Sequence, residues 1–309
     1  MVRKAIRIVL WLLLAVLVIV AVQAFRHWDT IQRVFLGGLH VHETVPPTVP
    51  ADLKRPAILV FSKTNAFRHE EAIPAGKAFF AQLAKDKGWG HFETENGAVF
   101  SPELLARFDA VVFNNVSGDV FSPAQQAAFK AFVEGGGGYV GLHASGDNSH
   151  AGWGWYMRSL LGAKFTQHTM DPQFQEAVVN VEDKTHAVTQ GLPASWKRTE
   201  EWYSFEKSPR APGVMVLATV DEKTYRPVGM FSKDLRMGDH PAVWARCIGK
   251  GPVVYTIFGH RAETFAEPEA KTLLANAASW AVGLGNPRCD APPIVPIAPP
   301  PALTTENKQ

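Results

Sequence analysis

The sequence predicts an α/β protein with a mainly parallel, doubly wound sheet and an N-terminal transmembrane helix. Two short apolar runs, Ala57–Phe61 and Asp109–Phe113, have the composition of strands that are buried on both faces. Segments with apolar residues at helical spacing follow each run and end at Gly88 and Gly135. Because strands and helices alternate in this way, we expect a parallel sheet with right-handed crossovers.

The N-terminal segment is long and apolar enough to cross a membrane. Ile8–Val22 contains only apolar or aromatic residues, and Gln23 is the one polar residue before Phe25. A helix of this length spans about 27 Å, close to the thickness of a bilayer core. Three basic residues precede the run: Arg3, Lys4 and Arg7. The positive-inside rule therefore predicts a single-pass cell-membrane protein with a periplasmic domain, anchored by residues 1–25. A signal peptide cleaved after Val22–Ala24 is the alternative.

Composition and proline content divide the rest of the chain. With 309 residues, 46% hydrophobic content and a net charge of +2, the chain can bury a sizeable core and has no charge excess that would indicate nucleic-acid binding. Residues 26–55 are polar and contain prolines, which predicts a stalk or linker. Residues 56–285 are predicted to form one domain. Residues 286–309 are rich in proline and are predicted to be a disordered tail.

The chain contains two cysteines, Cys247 and Cys289. In an oxidising compartment they could form one disulfide that pins the start of the tail to the last strands, and two free thiols are the alternative. A metal site made of thiolates is disfavoured.

The remaining elements of the domain follow from local signals. Ser-Pro pairs at 101–102 and 122–123 combine an N-cap with a proline at the first helical position, so each predicts a helix start. Apolar and β-branched runs predict further strands at His91–Thr94, Glu176–Val181, Val214–Val220, Ala242–Cys247 and Val253–Phe258. A closing helix is predicted to begin near Pro268.

The segment Gly141–Ser145 has the spacing of a nucleophile elbow, a strained strand-to-helix turn that pushes one side chain into the open. His143 occupies the elbow position. Imidazole acts as a general base, general acid or metal ligand more often than as an acyl carrier, so His143 is a candidate catalytic residue. A purely structural turn histidine is the alternative.

Other polar residues follow the predicted strands, and the carboxyl ends of parallel strands share one edge of a sheet. We therefore predict a site whose catalytic residues are His143, His69, Glu201 and His260. A divalent metal such as zinc would suit imidazole ligands, and the candidates are His143, His168 and His260. The candidates for substrate contact are Asn115, Trp153, Trp155 and Tyr203. Aromatic rings stack on sugars, and core packing is the alternative for the two tryptophans and the tyrosine. For Asn115 the alternative is a turn role.

Several motifs together resemble the ThuA-like (trehalose utilisation) family. The matching pieces are Phe67-Arg68-His69-Glu70, Gly136 to His143, Glu200-Glu201-Trp202-Tyr203, Pro241-Ala242-Val243-Trp244, Gly249-Lys250-Gly251 and Gly259-His260. The resemblance implies the three-layer sandwich of the glutamine amidotransferase-like (flavodoxin-like) fold over residues 56–285. It also implies a role in the breakdown of trehalose, other disaccharides or 3-keto sugars. Pro252 and Ala187 depart from the family pattern and affect only the expected shape of local loops.

Three functions remain open at this point. The first is a carbohydrate isomerase or hydrolase that uses histidine acid/base or metal chemistry; glutaminase activity is excluded because His143 replaces the elbow cysteine. The second is a sugar-binding protein without turnover. The third is a scaffold that recruits a partner through the P-x-x-P spacing at Pro293–Pro296.

Overall fold

A computed structural model describes residues 2–285 and Cys289. The predicted tail and its P-x-x-P spacing lie outside the described residues, apart from Cys289. The described residues form eleven strands: β1 (Ala57–Phe61), β2 (Gly90–Thr94), β3 (Ala110–Asn114), β4 (Gly138–Leu142), β5 (Phe165–His168), β6 (Phe174–Val181), β7 (Ser195–Glu201), β8 (Tyr203–Phe205), β9 (Val214–Val220), β10 (Pro241–Ile248) and β11 (Gly251–Thr256). The helices are α1 (Val2–Arg26), α2 (Trp28–Phe35), α3 (Ala72–Lys87), α4 (Pro102–Leu105), α5 (Pro123–Glu134) and α6 (Pro268–Ala281).

Nine of these strands form one mixed sheet in the order β2-β1-β3-β4-β11-β10-β9-β6-β7, and β5 and β8 form a separate pair. The strands from β2 to β11 in this order are parallel, which brings their carboxyl ends to a common edge. From β10 onward, each neighbouring pair is antiparallel. The predicted α/β class is confirmed, and the antiparallel strands extend the parallel half at one side.

Helices cover both faces of the parallel half. Successive residues of a strand point to opposite faces, and on β3 the ring of Phe113 stacks on Phe129 of α5 at 5.1 Å. The amide of the next residue, Asn114, donates to the carbonyl oxygen of Ile73 in α3 at 2.9 Å. Helices α3 and α5 therefore lie on opposite sides of the sheet, as a three-layer sandwich requires.

Local signals in the sequence explain where several helices begin and end. Ser122 caps α5, and Gln125 completes a reciprocal capping box with it. Helix α3 ends at Gly88, whose φ of 69° is readily adopted by glycine. Helix α1 is apolar from Ile8 to Val22 and none of its residues is buried against the domain, so its surface is free to contact lipid.

Residues 39–50, within the segment predicted as a stalk, lie against the domain; we call them the strap. The amide of Leu39 donates to Asn65 O at 2.6 Å, and Val49 is buried in the core. The buried ammonium group of Lys63 pairs with the carboxylate of Glu43 at 2.6 Å. Burial opposes ionisation of Glu43, yet hydrogen bonds from Lys63 and from the Gly97 amide hold its pKa below its usual value.

A disulfide joins Cys247 of β10 to Cys289, with the two sulfurs 2.08 Å apart. The structure thus contains the pairing that the sequence left open against two free thiols. It fastens the chain that follows α6 to the sheet.

Candidate active site

Four strands deliver the candidate catalytic residues to one edge of the sheet. His69 follows β1, His143 follows β4 directly, and His260 follows β11. Glu201 is the last residue of β7, the strand at the far end of the sheet order. The structure therefore brings together all four residues that the sequence predicts to be catalytic.

The elbow at His143 is formed, because this residue has a φ of 45° in the left-handed region that non-glycine residues rarely adopt. The expectation that the elbow exposes the side chain is wrong: His143 is fully buried. Its ring lies against the ring of Tyr203 at 4.1 Å and against those of His69 and His260 at 4.9 Å and 4.8 Å. These neighbours from other elements cover a turn that local sequence alone would leave open.

Polar atoms of three of these residues converge within hydrogen-bonding distance. His143 Nε2 lies 2.9 Å from His260 Nδ1 and 3.2 Å from Glu201 Oε2. The same Glu201 oxygen lies 3.1 Å from His260 Nδ1. One nitrogen each from His69, His143 and His260 lie within 4.8 Å of one another. We refer to His69, His143, His260 and Glu201 as the histidine cluster.

The hydrogen bond on the other side of His143 fixes how its ring faces the cluster. Nδ1 is 2.7 Å from the carbonyl oxygen of Ile257, so Nδ1 carries the proton and donates it. In the neutral ring, Nε2 is therefore an unprotonated acceptor that faces the acceptor Oε2 of Glu201. His260 Nδ1 has only one proton to share between these two atoms. The cluster is therefore short of positive charge, and either a further proton or a cation would satisfy it.

Burial and charge set the protonation of the cluster. Burial opposes ionisation of Glu201, but once His143 and His260 are protonated their hydrogen bonds and charge outweigh it and hold the pKa of Glu201 below its usual value. Burial, and then the neighbouring charges of His143 and His260, lower the pKa of His69 well below its usual range. The cluster thus contains an ionised carboxylate beside a neutral imidazole at neutral pH.

The residues present fit a divalent metal such as zinc. Two ligand nitrogens of a tetrahedral zinc lie about 3.3 Å apart, and the separations within the three-histidine group, from 2.9 Å to at most 4.8 Å, bracket that value. His69 Nδ1 is buried and has no hydrogen-bond partner within the described part of the chain. The bond from His143 to the Ile257 carbonyl is the outer-shell contact that orients a ligating histidine. The sequence predicted His168 as the third candidate metal ligand beside His143 and His260, whereas in the structure His69 forms the group with these two residues.

His168 instead contacts the outer side of the Glu201 carboxylate. Its Nδ1 lies 3.1 Å from Glu201 Oε1 and 2.9 Å from the carbonyl oxygen of Thr169. The amide of Gln173 donates to the same Oε1 at 2.5 Å. The side chain of His168 is 29% exposed, whereas that of Glu201 is 2% exposed. His168 therefore connects the buried carboxylate to solvent.

The neighbouring carboxylate, Glu200, has a supporting role. Its Oε2 accepts from the guanidinium of Arg198 at 2.9 Å and from the backbone amide of Gly259 at 3.2 Å. Thr264 and the amide of Glu201 also donate to this carboxylate, at 3.3 Å and 3.2 Å. Because Gly259 directly precedes His260, these bonds position one of the cluster histidines.

The candidate substrate contacts divide into two groups. Tyr203 touches the cluster through the ring of His143. Asn115 is buried with a φ of 58°, donates to Gly259 O at 2.9 Å and accepts from the amide of Ala144, so it fastens three strand-end loops together. Trp153 stacks on Tyr156 at 5.0 Å. Trp155 lies beside Phe129 and Lys130. The rings of both tryptophans contact Phe129 and each other.

Sequence reasoning missed the residues that complete the site. Gln173 and the Ile257 carbonyl carry no sequence signal, because one precedes a strand and the other acts through its backbone. Arg198 lies on β7, a strand whose charged sequence hid it, whereas the sequence analysis named Glu200 only as part of the family motif with Glu201. Two cavities, of about 530 Å³ and 300 Å³, are lined by other parts of the chain. The cluster itself is filled by its own side chains, and His260, with a side chain 15% exposed, is its most accessible member.

Comparison with known proteins identifies relatives of this domain. The profile of the ThuA family, described as trehalose utilisation, matches residues 57–281. A ThuA-like protein from Bacteroides uniformis is similar in structure, with 29% identity and a TM-score of 0.64 over 77% of this chain and 95% of that chain. A ThuA-like protein from Parabacteroides merdae has 19% identity and a TM-score of 0.56 over 74% of this chain and 90% of that chain. No curated protein sequence matches the chain.

Proposed function

The chain belongs to the ThuA (trehalose utilisation) family, and from this family membership we propose that it is a carbohydrate enzyme. The predicted glutamine amidotransferase-like fold is confirmed. Its substrate would be a keto sugar derived from a disaccharide. The reaction would be an isomerisation or hydrolysis that begins with removal of a proton next to a carbonyl group. The histidine cluster would be the catalytic centre.

The observation that carries this proposal is the convergence of His143 Nε2, His260 Nδ1 and Glu201 Oε2 within 3.2 Å of one another. A sugar-binding protein has no need of a buried ionised carboxylate beside two imidazoles, because aromatic and amide contacts suffice for sugar binding. Acid/base and metal chemistry both require such groups. The arrangement therefore favours turnover over binding alone.

Within the cluster, His69, His143 and His260 would hold a divalent metal. When bound, such a metal polarises a substrate oxygen and stabilises negative charge that develops on it. Glu201 would accept the proton at Oε2, the oxygen that faces His143 and His260. His168, whose Nδ1–H lies 2.9 Å from the Thr169 carbonyl oxygen and 3.1 Å from the other carboxylate oxygen, would hold the carboxylate of Glu201 in position for this transfer.

The same proposal includes a periplasmic location with α1 as an uncleaved anchor. Three basic residues precede the apolar segment, which favours a cytoplasmic N-terminus. The Cys247–Cys289 disulfide supports an oxidising compartment, since structural disulfides are rare in the cytosol.

The test is metal analysis of the purified full-length protein, followed by turnover assays on disaccharides and their 3-keto forms. We expect about one divalent metal per chain, lost in His69→Ala, and turnover lowered by about 10²-fold or more in His143→Gln. Gln retains hydrogen-bonding capacity but lacks the imidazole nitrogen that would ligate the metal. A sugar-binding protein would keep its affinity in the Gln variant and show no turnover in the wild type. Wild-type turnover that survives in both variants would contradict the proposed site.

A further inference from the structure

The connection between the membrane helix and the domain lies at the edge that carries the histidine cluster. The amide of Leu39 donates to Asn65 O at 2.6 Å, and Arg33 of α2 donates to the carbonyl oxygen of Thr64. Both acceptors belong to the loop that follows β1 and leads to His69. The anchor is therefore fastened to a loop of the candidate active site.

The length of chain between the span and this loop keeps the two close. Helix α2 has eight residues and rises about 12 Å, and four extended residues to Leu39 add at most about 14 Å. Trp28, Ile31 and Phe35 lie on one side of α2, and Arg33 lies on the other, at 100° per residue. An amphipathic helix that directly follows a membrane span is suited to lie in the headgroup layer, which shortens the distance from the bilayer further.

Exposed apolar side chains rim the same edge. Phe67 is 50% exposed, and its ring contacts His69 at 4.9 Å. A hairpin with its tip at Met230–Ser232 packs beside the His168 strand, since the Met170 amide donates to Val228 O at 3.1 Å. Met170 and Met230 are also exposed. These side chains would meet water if the edge faced away from the membrane.

The hairpin tip has an unusual conformation for its sequence. Phe231 and Ser232 have φ values of 56° and 59°, and the Lys233 amide donates to Met230 O, as in a type I′ turn. Such turns favour Asn-Gly, because a residue with a Cβ costs roughly 1–2 kcal/mol in the left-handed region. Phe231 is nevertheless here, and its side chain is 94% exposed. A strained turn that holds a phenylalanine in the open indicates a binding surface rather than a folding requirement.

We propose that the edge carrying the histidine cluster faces the bilayer, with Phe67 and the Met230–Ser232 tip resting in the headgroup layer. This rests on the anchor part of the proposed function and not on its chemistry. A substrate would then reach His260 from the membrane surface. Lipid is the occupant that these observations favour, because Phe67 of the rim lies two residues beyond Asn65, whose carbonyl holds the chain that leads to α1.

The test uses full-length protein in nanodiscs of phosphatidylcholine and phosphatidylglycerol that hold one chain each, so that a second copy cannot shield the surface. Spin labels are placed in Phe231→Cys and, separately, Phe67→Cys; the native cysteines are paired and do not react. The matched control is Lys87→Cys, at the exposed carboxyl end of α3 and the opposite edge of the sheet. Collision with oxygen and with a water-soluble nickel chelate then reports the depth of each label.

We expect labels at 231 and 67 to lie about 5–10 Å below the headgroup boundary, with the label at 87 in water. Mass spectrometry of the same sample checks the anchor. An intact chain with all three labels equally accessible to nickel would overturn the orientation and leave the anchor standing. A chain that lacks residues 1–24 would overturn both, and neither result bears on the cluster chemistry. Circular dichroism confirms that each labelled variant is folded.

Discussion

Replacing Glu201 with Gln is the most informative change to the histidine cluster. The substitution keeps the shape of the side chain and its bonds to Gln173 and His168, but removes the negative charge that lies 3.1 Å from His260 Nδ1 and 3.2 Å from His143 Nε2. If this charge balances a cation and accepts a proton, both metal affinity and rate depend on it.

The size of the effect follows from the contacts. Removing a carboxylate that orients or ligates a metal costs about 10–100-fold in affinity, and loss of a proton acceptor costs about 10²–10⁴-fold in rate, or roughly 3–5 kcal/mol. Stability should change less. Each of two charge-assisted bonds weakens by about 1–1.5 kcal/mol, whereas the neutral amide avoids the desolvation cost of a buried carboxylate.

Zinc titration against a competing chelator, thermal unfolding and turnover measure the three quantities on the same preparation. Glu200→Gln is the matched control, because Glu200 is equally buried but bonds Arg198 and the Gly259 amide instead of the imidazoles. That variant weakens a buried ion pair and should lose about 3–5 kcal/mol of stability, while its folded fraction keeps zinc affinity to within about tenfold. If Glu201→Gln binds zinc and turns over like the wild type, Glu201 has no part in the chemistry.

Two further predictions concern stability. Folding lowers the pKa of His69, so near pH 6.5 the unfolded chain binds a proton that the folded chain does not. With a chelator present to remove metal, the free energy of unfolding should therefore fall by up to about 1.4 kcal/mol for each pH unit below pH 6.5. In urea titrations at pH 7 and pH 5, His69→Gln should show a smaller loss than the wild type; equal losses would exclude this role. The paired substitution Cys247→Ser with Cys289→Ser opens a link across a separation of 42 residues and should lower unfolding stability by up to about 4 kcal/mol in the chain-entropy treatment. Urea unfolding of oxidised wild type and of this variant measures the difference, and equal midpoints would mean that the link does not stabilise the fold.

Local sequence predicts the parallel half of the fold well. The strand at Ala57–Phe61 has the predicted bounds, the strand predicted at Asp109–Phe113 is found at Ala110–Asn114, and the helix start at Ser122-Pro123 is confirmed. These elements are specified by local signals: continuous burial for the strands, and a cap with a proline for the helix. Strand β7 was missed, because three of the four buried residues in SWKRTEE are themselves charged: Arg198, Glu200 and Glu201.

The candidate site was predictable in its members but not in its contacts. Placing His69, His143 and His260 at strand ends of one parallel sheet predicts that they converge, and they do. The burial of His143 could not be predicted, since it depends on Tyr203, which reaches the elbow from a separate two-stranded sheet. Which of His69 and His168 lies in the group with His143 and His260 depends on side-chain directions over a few ångströms, and the spacing of residues along the chain does not determine these directions.

The strap has a consequence for where this domain begins. The family match starts at Ala57, yet the only carboxylate bonded to the buried Lys63 ammonium comes from Glu43, among the contacts of the described residues. Glu43 also accepts from the Gly97 amide, and its carbonyl accepts from Gln125 at 2.8 Å. A fragment that begins at Ala57, where the family match starts, would leave the buried Lys63 ammonium without the Glu43 carboxylate. It would also leave the capping residue Gln125 of α5 without the Glu43 carbonyl that accepts from it. The unit that folds is therefore longer at its N-terminus than the part that the family profile matches, and the added piece is the one that leads to α1.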